Sequence, residues 1–271
     1  MVLGSLAQGA IIASAEEGIL RILLNRPDKK NAVNALMYDA MADLLRTAKD
    51  SAAIRAVLIT AEGQDFCAGN DISELHAGSA GVGFAERPVG RFAYQLAWFD
   101  KPFVAAVRGR AIGLGFTLLL HCDLLFVAKD AVLSAPFARL GLCPEAGSSV
   151  LLPRLAGHRR ALEIFARNRT LTGIEAVEWG IADQAGDADQ VEALALEEAK
   201  RLVAQPTAAL RAIKRLVRPA EEIWDAMNRE VRELELLRGD PATISALARA
   251  LGKPADEHGE GPGHRGQAAQ T

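Results

Sequence analysis

Cysteine is scarce in this 271-residue chain, and its three occurrences, Cys67, Cys122 and Cys143, show no CxxC or CxxH spacing. That spacing argues against a disulfide framework and against a zinc site, and it fits a reducing compartment. Aromatic residues make up only 5% of the sequence, and 31 basic residues face 34 acidic ones for a formal net charge of -3. With no basic run interleaved with aromatics, nothing favours nucleic acid as a partner. No apolar run reaches the length of a bilayer crossing, and the N-terminus lacks both a positive leader and an uninterrupted apolar stretch. The closing residues Gln267-Ala268-Ala269-Gln270-Thr271 are not a peroxisomal address. The expected location is cytoplasmic, with no membrane partner.

What the chain does contain is apolar residue in quantity, 50% against 24% charged, enough for one large α/β domain. Ile11-Ile12-Ala13 and Ile19 to Leu24, divided by Glu16-Glu17-Gly18, read as a hairpin. Val33, Met37, Met41, Leu44, Leu45 and Ala48 recur at helical spacing, which predicts an amphipathic helix from about Asn34 to Asp50. Ala56 to Thr60, Phe103 to Val107 and Asp123 to Ala128 read as buried strands, and Leu114 to His121 as a buried helix. Buried strands alternating with helices imply an α/β core, here residues 1–186. From 187 to 252 the pattern turns helical, with Pro206 and Pro219 at expected helix starts. Those helices could cover the chain's own core or a neighbouring subunit. The Gly-, His-, Glu- and Gln-rich tail, 253–271, has the composition of disorder.

Two glycine-containing turns, Phe66-Cys67-Ala68-Gly69-Asn70-Asp71-Ile72 and Gly113-Leu114-Gly115, carry the first chemical signal. Either alone reads most simply as a tight strand-to-helix connection. Together they place Ala68 and Leu114 beside glycine at expected helix starts, where backbone N–H groups can hold a developing oxyanion. A phosphate loop is disfavoured, because no third glycine and no Gly-Lys-Ser/Thr follows. The candidate proton carrier is Glu145, a carboxylate among apolar residues in Leu142-Cys143-Pro144-Glu145-Ala146-Gly147; its plain alternative is a helix-start glutamate satisfying backbone N–H groups. Asp71, Asp123 and His121 have local structural explanations, and Ser148 and Ser149 lack an evident base.

The ordered series Leu24-Asn25-Arg26-Pro27-Asp28-Lys29-Lys30-Asn31-Ala32, Phe66 to Ile72, and Lys101-Pro102-Phe103-Val104-Ala105-Ala106-Val107-Arg108-Gly109 resembles the crotonase superfamily, the enoyl-CoA hydratase/isomerase family, over roughly Ile11 to Leu251. The resemblance implies a spiral of ββα units with a C-terminal helical region used in trimerisation, as a homotrimer or a dimer of trimers. It implies no cofactor beyond the coenzyme A carried by the substrate. It makes the N–H groups of Ala68 and Leu114 the oxyanion donors, Arg26 and Lys30 candidates for the CoA phosphates, and the backbone near Ala32, Ala68 and Ile72 part of the adenine region, with Asp71 counted among the substrate-binding residues.

The family's hydratases place two glutamates around the bound water, at positions that here hold Thr117 and Phe137. Neither can exchange a carboxyl proton, so hydration is disfavoured. Glu145 falls where hydratases tend to have glycine, and Ser134 to Glu145 is similar to the enoyl-CoA isomerases of the peroxisomal type. The expected reaction moves the double bond of a 3-enoyl-CoA to the 2-trans position, with Glu145 as shuttle and Phe137 and Leu142 excluding water from it. Alternatives are another CoA reaction on the same fold (thioester hydrolysis, dehalogenation, ring-opening isomerisation or hydration) or a noncatalytic acyl-CoA-binding protein.

Overall fold

A computed structural model describes residues 2–71 and 82–250. The expected disordered tail, Ile72 and the start of the segment from Leu75 to Phe99 lie outside the described residues. A seven-stranded sheet has the order β1 (Val2–Leu6), β2 (Ile11–Glu16), β3 (Ile19–Leu24), β4 (Ala56–Ala61), β5 (Phe103–Val107), β7 (Leu124–Ala128), β10 (Gln184–Gly186). The first three strands are antiparallel, with Ile11 opposite Leu24 in the hairpin, and the pairs from β3 onward are parallel. A smaller sheet joins β6 (Arg110–Ile112), β8 (Val132–Ser134) and β9 (Leu171–Thr172). The helices are α1 (Ala35–Asp50), α2 (Pro88–Trp98), α3 (Leu114–Thr117), α4 (Ser148–Ala156), α5 (His158–Phe165), α6 (Gly173–Glu178), α7 (Val191–Ala204), α8 (Thr207–Val217), α9 (Ala220–Arg238) and α10 (Pro241–Ala250).

Strand periodicity builds the layers. In β4 and β5, Val57, Ile59, Phe103, Ala105 and Val107 point into the main core, while Leu58, Val104 and Ala106 point to the other face. There α7 lies close through Ala195 and Ala199, so both faces are covered and the strands read as unbroken apolar runs. The C-terminal helices thus cover this chain's own core, at least through α7. On the main-core side, α1 starts where the sequence predicts, because the Asn34 side chain accepts the Met37 N–H at 3.0 Å and caps it. The buried segment from Leu114 is one α turn followed by a 3-10 turn, Leu118 to His121, rather than a continuous α-helix. Among the described residues no helix is long and apolar enough to cross a membrane.

One buried cation ties α1 to the sheet. Lys101, 2% exposed, donates through Nζ to the carbonyls of Ala48, Ser51 and Ile54 at 2.5, 2.7 and 2.7 Å, just where the last turn of α1 leaves carbonyls unpaired. Its own carbonyl accepts Lys214 Nζ at 2.7 Å, which brings α8 to the same corner. Lys101→Met keeps the apolar stem and strands three carbonyls, so it should lower stability by about 3 kcal/mol in urea unfolding.

Candidate active site

The first turn is held from both sides by backbone pairing. Asn31, fully buried, donates to the carbonyls of Glu62 and Asp65 at 2.9 and 2.8 Å and accepts the Arg26 N–H, which pins the segment before α1 alongside the end of β4. Val33 N–H then donates to Gly69 and Asp71 N–H to Val33, each at 2.8 Å. On the opposite side, Cys67 N–H donates to Arg110 and Ile112 N–H to Cys67, each at 2.9 Å, so β6 delivers the second turn against the first. Gly69 has φ +100°, and a Cβ on it would stand 3.0 Å from the Ile112 carbonyl and 3.8 Å from Leu114 N. A Cβ on Gly115 would approach the Cys67 carbonyl to 2.5 Å. Only glycine permits this contact.

The pairing corrects one expectation. Ala68 N–H is taken by the Lys30 carbonyl at 2.9 Å and so is not available to an oxyanion. The strand-like alternation turns the next free donor to Asn70: among the described residues, no acceptor faces Asn70 N–H or Leu114 N–H. Leu114 opens α3 as expected. Thr117, fully buried in that helix, turns its hydroxyl back to the Leu114 carbonyl at 3.4 Å.

Asn70, Leu114 and Glu145 line one cavity of about 320 Å³, whose other walls include Phe84, Phe92 and Leu96 near or on α2 and Met227, Val231 and Leu234 on α9. Glu145 sits between Leu114 and α9 on the loop before α4. Burial pushes its carboxyl up to about 7, against a hydrogen bond from the Asn70 side chain that pulls it down. Asn70 Nδ2 lies 3.4 and 3.2 Å from the two Glu145 oxygens. The amide is oriented by the buried Tyr38 hydroxyl, which donates to Asn70 Oδ1 and leaves only Nδ2 for the carboxylate. The other two acids lining the cavity are ion-paired: Asp71 with Arg26 at 2.7 Å and Glu235 with Arg87 at 3.0 Å.

The loop after Glu145 is fixed from below. Arg218 donates to His121 Nδ1, which sets the tautomer so that Nε2–H donates to the Ala146 carbonyl at 2.6 Å. Burial, reinforced by Arg218, pushes the His121 ring down to about 3, so it is neutral and carries no proton for chemistry near pH 7. Ala146 itself is held at φ +57°.

Of the other residues singled out in the sequence, Arg26, Lys30, Ala32 and Asp71 do come together beside the first turn. Arg26 differs from expectation: it donates to Asp71 and to the Ala32 carbonyl at 3.1 Å, bracing the turn rather than projecting freely toward a phosphate. Lys30 is exposed. Phe137 and Leu142 do not line the cavity. The Phe137 ring lies tilted against Phe165 of α5 with centroids 5.8 Å apart, and its carbonyl accepts Leu142 N–H at 2.8 Å. The apolar surroundings of the cavity come instead from Leu114, α2 and α9. Asn70 and Tyr38 escape the sequence reading, although Asn70 stands inside the first motif and Tyr38 is a hydroxyl on the buried face of α1. Among the described residues no group of three His, Cys, Asp or Glu side chains is arranged to hold a metal ion.

The raised Glu145 carboxyl has a stability consequence. An acid whose folded pKa of about 7 stands above the ordinary glutamate value of 4.5 stabilises the fold while protonated, and that contribution is lost as pH rises through about 7. Between about pH 5.5 and about pH 8.5 the wild type should therefore lose about 2 kcal/mol relative to Glu145→Gln, read from urea unfolding of both proteins at both pH values.

Residues 14–236 match the family model described as enoyl-CoA hydratase/isomerase. The chain is 34% identical over 216 residues to the 1,2-epoxyphenylacetyl-CoA isomerase of Escherichia coli (strain K12), covering 78% of this chain and 82% of the relative. It is 31% identical over 225 residues to enoyl-CoA delta isomerase 2 of Rattus norvegicus, covering 81% of this chain and 57% of that one. The crystal structure of an enoyl-CoA hydratase/isomerase from Pseudoalteromonas atlantica T6c superposes with a TM-score of 0.86 at 33% identity, over 90% of this chain and 98% of the other. With two abutting turns, a buried carboxylate and these likenesses together, the chain belongs to the enoyl-CoA hydratase/isomerase family, the crotonase superfamily.

Proposed function

We propose that this protein is a 3-enoyl-CoA isomerase in which Glu145 removes a proton from C2 and returns it at C4, giving the 2-trans-enoyl-CoA. The observation that carries this reading is that, among the described residues, Glu145 is the one acid lining the cavity that is not in an ion pair, and its carboxyl is raised to about 7. A base of that strength matches proton transfer near neutrality. The enolate oxygen rests on Asn70 N–H and Leu114 N–H, two fixed donors worth roughly 3 kcal/mol apiece in a water-poor site. Both carbons lie on one face of a short conjugated system, so one carboxylate reaches both and is regenerated. Among the described residues water addition has no second unpaired carboxylate in the cavity, since Asp71 and Glu235 are ion-paired, Thr117 is tied to Leu114 and Phe137 packs on Phe165.

A second reading keeps this machinery and changes the acyl group to a cyclic one. It is supported by Phe84 and Phe92 in the cavity wall and by the likeness to a 1,2-epoxyphenylacetyl-CoA isomerase. For coenzyme A, Lys30 is an exposed cation beside the first turn. Exposed Ile213, Leu216 and Val217 on α8 support assembly as a homotrimer or dimer of trimers; light scattering on the purified protein is expected to give three or six times the chain mass.

Conversion of a 3-enoyl-CoA, followed by the ultraviolet absorbance of the conjugated product, tests the chemistry. Wild type should turn over with kcat rising as pH passes about 7, because only ionised Glu145 accepts the C2 proton. Glu145→Gln should lose at least about 1000-fold in kcat, and crotonyl-CoA hydration should be negligible in both. Full turnover by Glu145→Gln would sink the shuttle. Inactivity of wild type on the open-chain substrate, with activity on a cyclic acyl-CoA, would select the second reading.

A further inference from the structure

Glu230 is a buried acid that the proposed chemistry does not use, and it sits on α9 between residues that wall the cavity. Met227 and Val231 and, one turn on, Leu234 face the cavity. Glu230, 5% exposed, instead accepts Gly147 N–H at 2.6 Å through one oxygen and Ser149 N–H at 2.9 Å through the other. Those two donors flank the start of α4, immediately after Glu145, and Ser148 N–H closes the loop onto the Glu145 carbonyl at 3.0 Å. The packing is tight: a Cβ on Gly147 would stand 3.0 Å from Ile223 of α9, and Cys143 Sγ reaches the Glu230 carbonyl at 3.7 Å.

We propose that Glu230 is a positioning residue for Glu145, its single carboxylate bridging two backbone N–H groups so that the helix walling the acyl cavity also sets the place and the charge environment of the base. The inference rests on the proposed role of Glu145. A neutral amide cannot replace this carboxylate, because one of its two ends would present N–H to N–H. The charge matters as well as the reach. Glu145 is faced by Tyr38 and Cys67 from the first-turn side, by Cys143 on its own loop, and by Glu230 and Arg238 from α9, while Arg229 faces Glu230. Within that set Glu230 raises the proton affinity of Glu145, opposing Asn70 and Arg238, which lower it.

The test is an infrared titration of the Glu145 carboxylate, isolated as the difference between each protein and the same protein carrying Glu145→Gln, for wild type, Glu230→Gln and Glu230→Asp. Circular dichroism and thermal melts establish that each is folded. Glu230→Gln is expected to lower the Glu145 proton affinity by about 10-fold and to reduce kcat by about 10-fold or more, with KM changed by less than about 3-fold. Glu230→Asp keeps the charge and shortens the reach, so the titration midpoint should stay near that of wild type while kcat falls by about 10-fold. An unmoved Glu145 midpoint in folded Glu230→Gln, or wild-type kcat in Glu230→Asp, would overturn the inference. The titration does not depend on the substrate: a shifted midpoint in a protein inactive on 3-enoyl-CoA would count against the isomerase reading alone.

Discussion

The whole site depends on one backbone contact, the pairing of Cys67 with Arg110 and Ile112, against which Gly115 lies without room for a side chain. It brings two chain segments more than forty residues apart to within van der Waals distance, and among the described residues it leaves Asn70 N–H and Leu114 N–H without acceptors on one cavity. Everything around it serves to hold that register. Asn31 fastens the preceding segment to the end of β4, Arg26 clamps Asp71, and the Thr117 hydroxyl returns to the Leu114 carbonyl. A donor pair that cannot relax needs no reorganisation when charge develops, which is what the proposed chemistry asks of it.

Glu145 gets its character from opposed forces, of which burial is the largest. Burial favours the neutral acid and Glu230 adds to that, while the Asn70 amide and Arg238 favour the carboxylate. The balance near neutrality leaves both protonation states accessible. Placement is equally composite. Tyr38 decides which end of Asn70 meets the carboxylate, and the Arg218–His121 pair holds Ala146 in a left-handed turn. Tyr38 lies on α1, His121 in the 3-10 turn after α3 and Arg218 just past α8, so Glu145 is located by the tertiary packing and not by its own loop.

The hairpin, α1, the three parallel strands, and the two glycine turns were legible in the sequence because their signals are local: period-two and period-3.6 apolar patterns, a capping asparagine, prolines at helix starts. The donor expected in the first turn was Ala68, whose N–H the Lys30 carbonyl takes; the N–H left without an acceptor among the described residues is that of Asn70, two positions on. Which N–H of Ala68, Gly69 and Asn70 stays free depends on whether Lys30 or Val33 lies opposite, and no propensity encodes that register. Phe137, at the position of a hydratase glutamate, and Leu142 were expected to shield Glu145 from water, yet the 3-10 turn at Ala138 to Leu140 carries the Phe137 ring away to α5.

Taken by itself, the amino-acid sequence determined the α/β class, the family, the two turns and the identity of the single acid worth suspecting, since each follows from residue types at short spacing. The tertiary structure alone decided that Arg26 braces rather than projects, that Asn70 serves with both backbone and side chain, and that Glu230 reaches the loop of Glu145 across 85 positions of sequence. The physical reason is that hydrogen-bond geometry and the desolvation of a carboxylate are set by which elements pack together, and packing partners are not written in any one segment.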